Sequence, residues 1–293
     1  MRRDVLGSAY AHPEVLVETD WVAAHLDDPG VRLVEVDVDT AQYDKGHVPR
    51  AIGFNWERQL NDQVCRDIIS QRDLEALLSA HGVGNQHTLV CYGDNNNWFA
   101  AFAFWIMKVY GHADVRLMNG GRKKWVFVEG RALTTDRVTN PPTSYVAKPA
   151  DQSLRAYRDQ VLEACTDARH VIVDVRSPEE FTGEILAPPG LVETAQRGGH
   201  IPGARNIPWE EAVQEDGTFK LADDLRRAYA GKGITRGRKV VTYCRIGERS
   251  AHTWFVLKYL LGFPHVSNYD GSWTEWGSVV RAPIDRGMES RPE

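Results

Sequence analysis

The chain is written twice. Gly46-His47-Val48-Pro49-x-Ala51 returns 153 positions later as Gly199-His200-Ile201-Pro202-x-Ala204, and Trp56 returns at the same interval as Trp209. Further on, Leu89-Val90-Cys91-Tyr92-Gly93 aligns with Val240-Val241-Thr242-Tyr243-Cys244, and Gly120 and Trp125 with Gly271 and Trp276, each 151 positions apart. A repeat on this scale means that one design, completed by roughly 150 residues, is used twice. Asp37 is read as the counterpart of Asp174, with a longer second-half stretch between Asp174 and His200 that includes Pro188-Pro189-Gly190. The repeating pattern dissolves after Arg131 into a segment carrying Pro141, Pro142 and Pro149 among Thr and Ser, which reads as an extended linker. The expected organisation is therefore a domain over 1–135, a linker over 136–150 and a second domain over 151–293.

Each half alternates strand and helix signals, the pattern of an α/β fold around a mostly parallel sheet. In the first half, strands are predicted over 32–38, 52–56, 88–92 and 115–118. Thr19 is read as the cap of a short helix, and Ser70 with Asp73 as a capping box for a helix ending at Gly82. Trp98 to Met107 is the longest apolar run. Ten residues fall short of the roughly 20 that span a bilayer, so the run reads as a buried helix.

Net charge is −5, from 35 Lys and Arg against 40 Asp and Glu, with no block of like charge, which argues against nucleic acid as a partner. The start, Met1 to Ser8, has two arginines but no apolar run behind them, so no secretory signal is expected. Cys65, Cys91, Cys165 and Cys244 are far apart, without metal-ligand spacing. The expectation is a cytoplasmic protein with no membrane partner, no metal and no cofactor.

Because the halves share a frame, what one half has alone is a candidate for function. The histidines His47 and His200 are shared and read as turn-stabilising. Cys244 is not: Gly93 stands in its place, and Asp94 to Phe99 stand opposite Arg245 to Ser250. Cys244 falls where the buried strand ending at Tyr243 gives way to a helix. The unpaired N–H groups there, the helix dipole and the charges of Arg245 and Arg249 all favour thiolate, so Cys244 is expected to be largely ionised at neutral pH. The loop Cys244-Arg245-Ile246-Gly247-Glu248-Arg249-Ser250 is then an anion-binding nest whose residues contact substrate. Asp174 supports it. Arg249 is read as a substrate contact, with pairing to Asp174 or Glu248 as the alternative. The other three cysteines read as packing residues, and His252 as structural or surface.

A strand, Cys244-Arg245-x-Gly247 and a helix, with Gly199-His200-Ile201-Pro202-Gly203-Ala204 upstream and Tyr269-Asp270-Gly271-Ser272-Trp273 downstream, resemble the tandem-domain rhodanese family of thiosulfate sulfurtransferases. The resemblance implies two tandem rhodanese-like domains, the first catalytically silent. It also implies transfer of sulfane sulfur from thiosulfate through a Cys244 persulfide, with release of sulfite, to cyanide, a thiol or a protein acceptor. Ile246 stands where thiosulfate-using relatives have lysine, and Glu180 where they have arginine. The loop start also differs from the Cys-Gly-Ser-Gly of mercaptopyruvate-using relatives. A phosphatase is a rival reading, yet related phosphatase loops place arginine six residues after the cysteine, where this chain has Ser250 and Arg249 falls one short. A protein-to-protein persulfide carrier is the other.

Overall fold

The computed structural model describes residues 9–191 and 195–288, so the N-terminal stretch Met1 to Ser8 read above lies outside the described residues. The chain divides into two compact units. One is built from 14–151 and 213–219, the other from the described parts of 1–13, 152–212 and 220–293.

The unit built on 14–151 carries five parallel strands: β1 (Leu16–Val17), β2 (Val31–Glu35), β3 (Ile52–Gly53), β4 (Thr88–Tyr92) and β5 (Val115–Met118), in the order β1-β5-β4-β2-β3. The helix Trp98–Val109 is apolar on every side and buries all its residues but Trp98 and Lys108, as a helix enclosed by core must. No helix among the described residues is long and apolar enough to cross a membrane. Ser70 accepts from the Asp73 amide and opens the helix Gln71–Ala80. Thr19 does not cap. It is the first residue of the helix Thr19–Ala24, behind the N-cap Glu18, and its hydroxyl donates to Glu129 at 2.7 Å. β3 stops after two residues, since the Asn55 side chain accepts from the Arg58 amide and starts the helix Trp56–Gln59.

The other unit repeats this with β6 (His170–Asp174), β7 (Arg205–Asn206), β8 (Lys239–Tyr243) and β9 (Val266–Asn268), all parallel, in the order β7-β6-β8-β9. Where β1 pairs with β5 in the first sheet, only a single bridge, Arg155 to Asn268, forms here. Ile172, Val241, Tyr243, Ile201, Trp273 and Trp276 fill one core; Leu33, Val90, Tyr92, Val48 and Trp125 fill the other. The architecture is the expected α/β one, with two parallel sheets flanked by helices.

The register corrects one pairing read from sequence. Asp174 lies opposite Tyr243, and it is Glu35, not Asp37, that lies opposite Tyr92. The chemistry repeats with the geometry. Tyr243 donates to Asp174 and receives the Ile201 amide, while Tyr92 donates to Glu35 and receives the Val48 amide. Each carboxylate also takes an arginine, Arg176 in one unit and Arg122 in the other. The shared histidines hold turns as expected. His47 bonds the Tyr43 carbonyl and stacks on that ring; His200 bonds the Phe181 carbonyl and stacks likewise. The proline-rich stretch has no regular structure but is stitched down along its length: Thr143 donates to the Ser79 carbonyl, Val146 to Asn85 and Lys148 to the Tyr110 carbonyl.

Candidate active site

Cys244 sits between β8 and the helix Glu248–Phe255, in a loop whose shape follows from where its carbonyls go. The Cys244 carbonyl accepts from the Trp273 amide and the Arg245 carbonyl from the Thr274 amide, both at 3.0 Å. Gly247's carbonyl takes the Asn268 side-chain amide at 3.1 Å. With these carbonyls turned away, Gly247 donates its amide to Cys244 Sγ at 3.2 Å. Gly247 is required at φ 105°, and a Cβ there would meet Asp270 Cβ at 2.8 Å. Ser272 completes the frame. Its hydroxyl accepts from the Cys244 amide at 3.1 Å and donates to the Tyr269 carbonyl at 2.6 Å, which holds Ser272 at the left-handed φ of 50°. The motif around Trp273 was visible in the sequence, but not that its serine and amides shape the cysteine loop.

The structure brings Cys244, Arg245, Ile246, Gly247, Glu248, Arg249 and Ser250 together, all buried. The charges within that group are arranged differently from the sequence reading. Arg249 pairs with neither Asp174 nor chiefly Glu248. Its two terminal nitrogens donate to Glu180 at 2.8 and 2.9 Å, while its Nε stands 3.6 Å from Glu248. Glu180 is the third residue of the helix Pro178–Thr182, whose capping box with Ser177 aims the carboxylate inward. Burial alone would raise the Glu180 carboxyl, but the hydrogen bonds and charge of Arg249, aided by Arg176, outweigh it and hold it below the ordinary range. Arg245 lies 3.6 Å from Glu248. Asp174 stands one step back, taken up by Arg176 and by Tyr243, the residue before the cysteine.

The resting ionisation of Cys244 is a correction. Burial pushes the thiol up, and the neighbouring Glu248 carboxylate pushes it further; Arg249 and the Ser250 hydroxyl and amide pull the other way without winning. Cys244 Sγ donates to Glu248 at 3.3 Å, so the resting group is a thiol and not the thiolate expected from the loop's cations alone. His252 is fully buried and lowered by burial to about 3, too weak a base to help. Cys91 and Cys165 are pushed up by burial to about 12 and about 11. Cys65 is exposed rather than packed. No group of three or more metal-ligating side chains occurs among the described residues.

At the equivalent turn of the other unit, Gly93 has no room for any side chain: a Cβ would fall 2.1 Å from the Val36 carbonyl oxygen. Asp94 to Asn97 fold in on themselves there, with Asn95, Asn96 and Asn97 all at positive φ and the Asn97 side chain accepting from the Gly93 amide.

The rhodanese-like domain model matches residues 18–127 and again 157–278. The chain is 56% identical to the sulfur carrier protein TtuD of Thermus thermophilus over 96% of its own length and 99% of that protein. It is 57% identical to a Haloferax volcanii protein provisionally named a thiosulfate sulfurtransferase, covering 94% of this chain and 97% of that one. The solved structure of wild-type EanB superposes with a TM-score of 0.82 at 25% identity, covering 96% of this chain and 71% of that one. A domain model found in both halves, and relatives above half identity from end to end, place the chain in the rhodanese-like sulfurtransferase family.

Proposed function

We propose that the chain moves sulfane sulfur from thiosulfate to a thiol acceptor or cyanide through a persulfide on Cys244. The observation that carries this is the single buried sulfur at the mouth of a loop whose carbonyls are turned out and whose Gly247 amide points at Sγ. Such a loop stabilises a sulfur anion without a metal or cofactor. Sγ attacks the outer sulfur of thiosulfate, the sulfur–sulfur bond of the donor breaks, and sulfite leaves with the electron pair. Acceptor attack on the outer sulfur of the persulfide then returns Cys244. Arg245 contacts the departing anion; Ile246 and Gly247 shape the wall. The first domain, over 1–135, is catalytically silent, since Gly93 cannot be replaced by a nucleophile, and 136–150 links it to the catalytic domain over 151–293.

A second reading has its own support. Arg249 is held by Glu180, so less positive charge faces a dianion than the loop's composition suggests. That favours a persulfide carrier serving a protein acceptor, as the name of the Thermus relative also suggests. The same pairing weighs against a phosphatase, whose arginine must face the anion. Mass spectrometry after thiosulfate treatment tests the proposal. A gain of one sulfur on Cys244, absent in Cys244→Ser, supports it; no gain, or a gain on another cysteine, refutes it. Turnover with thiosulfate and cyanide, mercaptopyruvate and an aryl phosphate then ranks the donors.

A further inference from the structure

Glu248 is the odd residue of this loop. A site that receives an anionic donor and then holds an anionic persulfide gains nothing from a carboxylate against the sulfur, yet Glu248 is fully buried with Oε2 3.3 Å from Cys244 Sγ. Among the described residues its other oxygen makes no hydrogen bond, only longer ion pairs of 3.6 Å to Arg245 Nη2 and Arg249 Nε. Buried carboxylates in folded proteins are normally well supplied with donors, and one whose hydrogen bond comes from a thiol alone is poised to take that thiol's proton. The remaining charges around the loop are committed elsewhere: Glu180 to Arg249, Asp174 to Arg176, and Asp270 to Arg155. His252, on the same helix, stays neutral.

We infer that Glu248 is the proton carrier of Cys244, a catalytic residue that takes the thiol proton as sulfur is loaded and returns it as sulfur is discharged. This rests on the persulfide reading above. In the first step the Cys244 Sγ–H bond breaks toward Glu248 Oε2 while Sγ bonds the outer sulfur of thiosulfate and sulfite leaves with the electron pair of the donor's sulfur–sulfur bond. The products are an anionic persulfide, sulfite and a neutral Glu248 carboxylic acid, so the persulfide anion is not left beside a charged Glu248. In the second, an acceptor thiolate or cyanide bonds the outer sulfur, the Sγ–S bond breaks toward Sγ, and Glu248 gives the proton back. Nothing is oxidised or reduced beyond the sulfur transferred, and no co-reactant is needed.

The test compares wild type, Glu248→Gln and Glu248→Asp in the full chain. Ultraviolet thiolate absorbance, corrected with Cys244→Ser, gives the fraction of thiolate at each pH. Single-turnover sulfur uptake from thiosulfate and alkylation by iodoacetamide give the rate. With a proton carrier, the wild-type rate stays flat below the thiol's midpoint, because the thiol reacts with its base attached. In Glu248→Gln the rate follows the thiolate fraction, falling about tenfold per pH unit below its midpoint, and Glu248→Asp restores part of the plateau. If Glu248 is only a charge that suppresses ionisation, wild type also follows its thiolate fraction and Glu248→Gln is faster below the wild-type midpoint; that result overturns the inference. Iodoacetamide separates the two claims. A wild type that is alkylated on a plateau but takes no sulfur refutes the donor reading and leaves Glu248 as the carrier, whereas loss of the plateau with both reagents refutes Glu248.

Discussion

Arg249→Met isolates what the Glu180–Arg249 pair contributes. Both side chains are all but removed from water, and the substitution leaves the Glu180 carboxylate buried without its two guanidinium hydrogen bonds. The protein's cheapest escape is to protonate it. From an ordinary value of 4.5, holding that carboxyl neutral at pH 7 costs about 3.4 kcal/mol, and at pH 5 about 0.7 kcal/mol. The first figure lies within the range of roughly 3–5 kcal/mol seen when one partner of a buried pair is removed. The sign in wild type is opposite. Its depressed Glu180 contributes stability above about 4.5 that is lost only as pH falls through the lower folded value, so wild type does not change between pH 7 and 5 on this account. The deficit of Arg249→Met should therefore shrink from about 3 to below about 1 kcal/mol over that interval. Replacing both, as Glu180→Leu with Arg249→Met, should recover most of it, less about 1 kcal/mol for the lost capping box. With two compact units a single unfolding midpoint is ambiguous. Hydrogen exchange in the peptide spanning 244–261, followed against urea at both pH values, reads the relevant unit directly. A deficit under about 1 kcal/mol at pH 7, or one that is equal at pH 7 and 5, would refute the buried-pair argument.

Two further outcomes follow from the other unit. Gly93→Cys, which restores a cysteine at the silent turn, should lower stability by more than about 2 kcal/mol through the clash with the Val36 carbonyl and carry no sulfur after thiosulfate treatment; a stable variant with a second persulfide would show the turn to be open. Asp37, which lines a cavity of about 350 Å³, is pushed up to about 9, by burial first and then by the charges of Glu35 and Asp94. Its folded state holds the proton that the unfolded state loses above about 4, so wild type loses stability as pH rises toward 9. Asp37→Asn keeps an acceptor for the Asp94 amide and should gain on the order of 1–3 kcal/mol relative to wild type at pH 8 and little at pH 4, by urea unfolding; a variant weaker at pH 8 would mean the carboxylate is charged.

What the sequence disclosed and what it hid divide along a physical line. Residues that build the frame occur in both halves, so Tyr92 with Tyr243 and His47 with His200 mark the same places in both sheets, and Cys244 stands out against Gly93 as the residue without a twin. Polar side chains in the interior, by contrast, are fixed by partners far away in the chain. Glu180 and Arg249 lie 69 positions apart, and nothing local announces that they meet. Read singly, Glu180 was a missing cation and Arg249 a spare one; read as a pair, the two cancel. The same holds for ionisation. Helix start and arginines argue for a thiolate, and each argument is sound, but burial and Glu248 act on the same sulfur and outweigh them. Charges in a buried loop act as a set, and here Arg245 and Arg249 stand against Glu180 and Glu248, two cations paired with two carboxylates. A loop of that kind does not attract an anion by net charge. On the persulfide reading proposed above, such a loop binds through the direction of its N–H groups, and Gly247, with its φ of 105° and its amide on Sγ, is the donor placed for that task.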